Sequence, residues 1–147
     1  MTLREILRGK GAAVHTIGPE ASLDDAVEQL VRHNVGSLIV CDPAADEDSP
    51  PMIGILTERD VLRTCAAHRG GLQEITVGEV MSFPVTTGRP NDDIAHTMQV
   101  LTRRRIRHLP VMDEGRLMGM ISIGDLVKAQ SDQLSLENHY LKNYIQS

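Results

Sequence analysis

The chain of 147 residues is 41% hydrophobic and 24% charged, the balance of a globular protein that can bury a core without disulfides. Phe83, Tyr140 and Tyr144 are its only Phe, Tyr or Trp rings, which removes base stacking on aromatic platforms, and a net charge of -5 argues against a general nucleic-acid surface. The opening MTLREILRGKGAAV has no apolar signal core, no run approaches the roughly 20 apolar residues of a membrane span, and Cys41 and Cys65 form no C-x-x-C pair, so a cytoplasmic location is expected.

Thr2-x-x-Glu5 carries the signature of a helix start. Residues 14–17 are strand-like and end at Gly18 and Pro19. After Ser22, a candidate N-cap, Leu23, Ala26, Val27, Leu30 and Val31 recur at helical spacing and predict one buried stripe. Residues 38–40 and 52–56 read as a strand pair separated by the acidic, proline-rich PAADEDSPP, and a helix starts at Thr57. Thr76-x-x-Glu79 repeats the first signature, residues 85–87 the first strand, and Ile94, Thr97, Met98 and Leu101 the stripe. Residues 109–111 and 117–121 form a second hairpin across Asp113-Glu114-Gly115, and a last helix starts at Ser122. The tail places Leu134, Leu141, Tyr144 and Ile145 at helical spacing, a face expected to lie on its own domain or on a dimer mate.

Those elements are two copies of one unit. Residues 14–42 align with 85–113 without a gap, with Val14/Val85, Thr16/Thr87, Pro19/Pro90, Leu30/Leu101, Leu38/Leu109, Val40/Val111 and Asp42/Asp113 identical. The register then shifts across PAADEDSPP, and GILTERDVL (54–62) falls on GMISIGDLV (119–127). The fold class expected is α+β, two β-α-β-β-α repeats related by a pseudo-twofold and packed through their sheets. Boundaries are drawn at 1–72 for the first repeat with its N-terminal segment, 73–131 for the second, and 132–147 for a helical tail.

The chemistry concentrates in the duplicated end of each unit, Gly54-Ile55-Leu56-Thr57-Glu58-Arg59-Asp60 and Gly119-Met120-Ile121-Ser122-Ile123-Gly124-Asp125. A hydroxyl and a carboxylate three residues apart open a helix after a buried strand. Two readings stand side by side. Thr57 and Ser122 are capping residues, although a capping box prefers Glu or Gln where both copies carry Asp. Alternatively, free helix amides receive an anion and the carboxylate accepts two hydroxyls of a ribose. Recurrence in both repeats favours the second.

With these segments the chain resembles a tandem pair of cystathionine-β-synthase (CBS) domains, a Bateman module of the free-standing bacterial type, from Thr2 to about Gln130. The resemblance implies a non-catalytic sensor that binds AMP, ADP, ATP, NAD(H) or, less in keeping, S-adenosylmethionine in a cleft between the repeats, with no bound cofactor and no metal. Carried over by position, Asp60 and Asp125 would hold ribose hydroxyls, and Thr57 and Ser122 ribose or phosphate. Thr16, Thr87, Gly36-Ser37 and Arg107-His108 occupy the family's other contact positions, and Ile55 and Met120 would flank an adenine with Val14 and Val85. The copies differ: Arg107-His108 offers phosphate a positive charge where the first copy has Gly36-Ser37, and Arg59 stands where the second has Gly124. Unequal sites are therefore expected.

A homodimer and an unidentified protein target are the expected partners, with no nucleic acid and no membrane. Two other functions stay open. An enzyme would have to recruit Asp60, Asp125, His108 and Cys65, yet no nucleophile–base pair or glycine-rich phosphate loop is present. A ligand-free dimerisation module would use both hydroxyl–carboxylate segments only as caps. The run Arg103–Arg104–Arg105 complements a helix dipole and is expected at the surface, as are His15, His33, His68, His96 and His139.

Overall fold

Each helix begins where a side-chain oxygen can take up its first amides. Thr2 caps α1 (Leu3–Lys10), Ser22 caps α2 (Leu23–His33), Thr57 caps α3 (Glu58–Ala67), and Asp93 caps α5 (Ile94–Arg104). The short α4 (Val77–Val80) carries the Thr76–Glu79 box, with the Thr76 amide donating to Glu79 Oε2 at 2.8 Å. The computed structural model describes residues 1–43, 51–68 and 70–146. Most of PAADEDSPP, residues 44–50, lies outside the described residues.

The chain divides into two compact units, Ala13–Thr86 and Met1–Ala12 with Thr87–Ser147. In the first, β1 (Thr16–Ile17) runs parallel to β2 (Ser37–Cys41), which pairs antiparallel with β3 (Met52–Thr57). Leu23, Ala26 and Leu30 of α2 close over Ile17, Leu38, Val40, Leu56 and Val77. Val31, expected in that stripe, is 76% exposed. Each helical residue turns by about 100°, which carries Val31 out of the arc that Leu23, Ala26 and Leu30 share.

The second unit pairs β4 (His108–Asp113) with β5 (Arg116–Ser122) through a turn in which Glu114 and Gly115 both have positive φ, 50° and 77°. Its core joins Leu3 and Leu7 of α1 to Ile94, Leu101, Leu109, Val111, Ile121 and, from α6 (Ile123–Gln146), Leu126 and Ala129. The strand expected at 85–87 is reduced to a parallel bridge between Gly88 and Val111. It stops there because the Arg89 amide turns to Asp92 Oδ2 at 2.8 Å and Pro90 has no N–H to extend the ladder.

The leaders are exchanged relative to the boundaries read from the sequence. TLREIL packs in the unit of the second repeat, and TVGEVM, with the rest of 73–86, in that of the first. The glycine that opens each duplicated segment explains the exchange. A Cβ on Gly119 would meet Leu7 Cδ2 at 2.6 Å, and one on Gly54 would meet Met81 Sδ at 2.5 Å. Leu7 and Met81 are equivalent positions of the two leaders, each seated where its sheet has no side chain.

The tail is not a separate element: α6 continues unbroken to Gln146. Residues 131–146 are all exposed. No described helix is long and apolar enough to cross a membrane.

Candidate functional site

Strand alternation gathers the expected site residues of the first repeat on one sheet face. Thr16 pairs with Ile39, Ile39 with Ile55, and Ser37 with Thr57, so these side chains share the face opposite Ile17, Leu38 and Leu56. The second repeat does the same with fewer strands: His108 pairs with Ser122 and Pro110 with Met120, opposite Leu109 and Ile121. Thr87 falls outside any strand and is exposed. At the end of each face a helix starts on an identical hook. The Glu58 amide donates to the Gly36 carbonyl at 3.1 Å, and the Ile123 amide to the Arg107 carbonyl at 2.9 Å. Arg107 thereby adjoins the first turn of α6, while Arg59 stands exposed in the first turn of α3.

Both duplicated segments close the reciprocal box in spite of the short Asp. The Thr57 amide donates to Asp60 Oδ2 at 2.9 Å and the Asp60 amide to Thr57 Oγ1 at 3.4 Å. The Ser122 amide donates to Asp125 Oδ2 at 2.8 Å and the Asp125 amide to Ser122 Oγ at 3.2 Å. Capping and ligand binding are therefore not exclusive, because each carboxylate has a second oxygen beyond the one that holds the box.

That second oxygen separates the repeats. Asp60 is 6% exposed, and its Oδ1 receives the Ser82 hydroxyl at 2.8 Å. Ser82 is fixed there by two backbone bonds with Ile55, of 3.0 and 2.9 Å. Asp125 is more open, with 23% of its side chain accessible, and its charged partner falls on the oxygen that already holds the box: Lys10 Nζ reaches Oδ2 at 2.7 Å and also donates to the Met120 carbonyl at 2.8 Å. Burial alone would raise the Asp125 carboxyl. The Lys10 ammonium and the Ser122 amide and hydroxyl outweigh it and hold the pKa below the ordinary carboxylate value.

Ser82 and Lys10 are absent from the sequence-based site. Ser82 follows α4 and Lys10 ends α1, and each contacts a carboxylate 22 or 115 residues away, so neither is visible as a local motif. The one available signal was the duplication of the leaders, which sequence reading absorbed as capping boxes. Of the histidines expected at the surface, His33, His68, His96 and His139 are exposed, and the half-buried His15 stacks on His33 with ring centroids 3.8 Å apart. Burial pushes the Cys41 thiol up, away from nucleophilic use at neutral pH. A cavity of about 420 Å³ lined by His68, Gly71, Glu74, Ile75, Glu79 and Val80 contains no expected site residue. Its two carboxylates make it a poor phosphate seat, so the hydroxyl–carboxylate segments remain the better candidates.

Comparison with known proteins agrees with this arrangement. Residues 11–67 and 77–132 each match the CBS domain family. The chain is 32% identical over 151 residues to the mitochondrial CBS domain-containing protein CBSX3 of Arabidopsis thaliana, covering 99% of this chain and 72% of that protein. It is 34% identical over 118 residues to the CBS domain-containing protein YhcV of Bacillus subtilis, covering 80% and 79%. Among solved structures, the CBS-domain protein ATU1752 of Agrobacterium tumefaciens superposes with a TM-score of 0.81 at 34% identity, over 88% of this chain and 92% of that one. With two family matches that span most of the chain, and with the same segment closing each repeat, the protein belongs to the CBS-domain family of regulatory modules.

Proposed function

We propose that the protein binds an adenosine-containing nucleotide, AMP, ADP, ATP or NAD(H) ahead of S-adenosylmethionine, and does not turn it over. Bound nucleotide favours one of two conformations of the chain, and a partner protein reads the difference. The observation that carries this reading is the second segment. A part-exposed carboxylate, Asp125, stands beside the Ser122 hydroxyl and the Lys10 ammonium, and His108 and Arg107 belong to the same strand end. A carboxylate can accept both hydroxyls of a ribose, and neighbouring cations suit its phosphates. The first segment is less suited to the same task, because Ser82 already holds the outer oxygen of Asp60. Ribose recognition is therefore assigned to Asp125 and a supporting role to Thr57 and Asp60.

A thermal-shift panel of AMP, ADP, ATP, NAD, NADH and S-adenosylmethionine tests the proposal. A ligand at 100 times its dissociation constant stabilises by about 2.7 kcal/mol, a midpoint rise of roughly 5–10 °C for a chain of this size. Mass spectrometry of small molecules released on denaturation identifies any nucleotide that co-purifies. The complete engagement of Asp60 favours a second reading, in which both segments are caps and the module binds no nucleotide. A flat panel with no released nucleotide supports it.

A further inference from the structure

Ala129 is the last buried residue of helix α6, and beyond it Leu134 is 54%, Leu141 59% and Ile145 80% exposed. A helical segment as short as 131–146 is marginal in water without tertiary packing. Part of its apolar surface has a definite period, while Leu136, Tyr140 and Tyr144 are also exposed and lie off it. Val127, Leu134 and Leu141 recur every seven residues, and Ser131, Asn138 and Ile145 interleave at alternating steps of four and three. In heptad terms the first set takes d and the second a.

We propose that this face binds the same face of a second copy, as a parallel, in-register pair of helices. Charge complementarity selects that occupant. With this heptad, Glu137 falls at g and Lys142 at e, five residues later. Those are the positions that meet across a parallel pair, twice by symmetry. Antiparallel registers do not match the charges. Those that oppose Leu134 to Asn138 or Leu141 to Ile145 set Glu137 against Glu137 or Lys142 against Lys142. The register that opposes Asn138 to Leu141 leaves both without an opposite charge. Asn138 adds a second selector, since a lone Asn at an a position meets its own copy only in register and specifies two parallel strands. The outer face carries the local His139–Asn143 contact of 3.2 Å, at b and f. About two heptads make a clasp in the full chain and are short for a free-standing coiled coil.

Sedimentation of the full chain tests the interface, and cysteine cross-linking tests its direction. Leu134→Asp with Leu141→Asp should shift the protein from a dimer to single-chain mass, with the far-UV spectrum of the core retained. In a Cys65→Ser background, mild oxidation should link Asn138→Cys chains into covalent dimers at least tenfold faster than His139→Cys chains. A parent chain that sediments as a monomer overturns the proposal. So does a dimer untouched by the two Leu→Asp changes, or equal cross-linking at 138 and 139. None of these outcomes depends on nucleotide.

Discussion

Lys10 Nζ lies 2.7 Å from Asp125 Oδ2 and ties the end of α1 to the first turn of α6. The bond places the ammonium at the end of the first leader on the carboxylate proposed for the ribose, so the proposed ligand and the docking of α1 would draw on the same group. Lys10→Met removes the competitor for Asp125 and also a cation beside it. Affinity for neutral adenosine should rise by about two- to tenfold while affinity for ATP falls relative to it, since a charged hydrogen bond to phosphate contributes roughly 1.5–3 kcal/mol. Parallel titrations with the two ligands check the split.

The same pair makes stability depend on pH in a defined sense. The folded pKa of Asp125 is lowered from the ordinary 3.8, so its contribution is fully present above that value and is lost as pH falls through the folded one. Asp125→Asn should cost about 0.2–1 kcal/mol at neutral pH, because a pair this exposed is screened by solvent. The gap between variant and parent should close as pH drops below 3.8. Denaturant midpoints across that range measure it, and a gap that stays constant into strong acid contradicts the assignment.

Asp60 should behave differently from Asp125. Asp60→Ala removes the carboxylate half of the α3 box and leaves the part-buried Thr57 amide without its acceptor, while the exposed Ser82 hydroxyl can turn to water. A loss of about 1–3 kcal/mol is expected from the stranded amide. Thermal unfolding of both alanine variants should rank Asp60→Ala as the more destabilised.

The glycines that open the duplicated segments should resist even alanine. Gly119→Ala forces Leu7 aside, and Gly54→Ala meets Met81 and, at 3.2 Å, the Ser82 carbonyl, so overpacking costs of about 1–3 kcal/mol are expected. Leu7→Ala should recover part of the loss at Gly119, whereas the backbone contact at Gly54 allows less recovery from Met81→Ala. A double-mutant cycle for each pair reads the coupling.

The repeats, the hairpins and the caps were legible because each rests on local spacing: Ser22 before the Leu23 stripe, Asp113-Glu114-Gly115 between strands, Thr57 and Ser122 before their helices. What escaped the sequence depends on contacts far along the chain. Nothing near Thr2 says that Leu7 fills the space over Gly119, and nothing near Asp125 names Lys10. Val31 was misplaced because the width of a buried arc is set by the sheet beneath the helix, which spacing alone does not reveal. Val31→Ser should accordingly change stability by no more than about 0.5 kcal/mol, against about 2–5 kcal/mol for Leu30→Ala.

Isothermal titration of the parent chain and of Asp125→Ala with AMP, ATP and NADH tests nucleotide recognition most directly. Saturable binding of at least one nucleotide by the parent is expected. For Asp125→Ala the affinity should fall by roughly tenfold to 150-fold, the equivalent of 1.5–3 kcal/mol for a lost charged hydrogen bond. Equal affinity in parent and variant, or no binding by the parent, would contradict it.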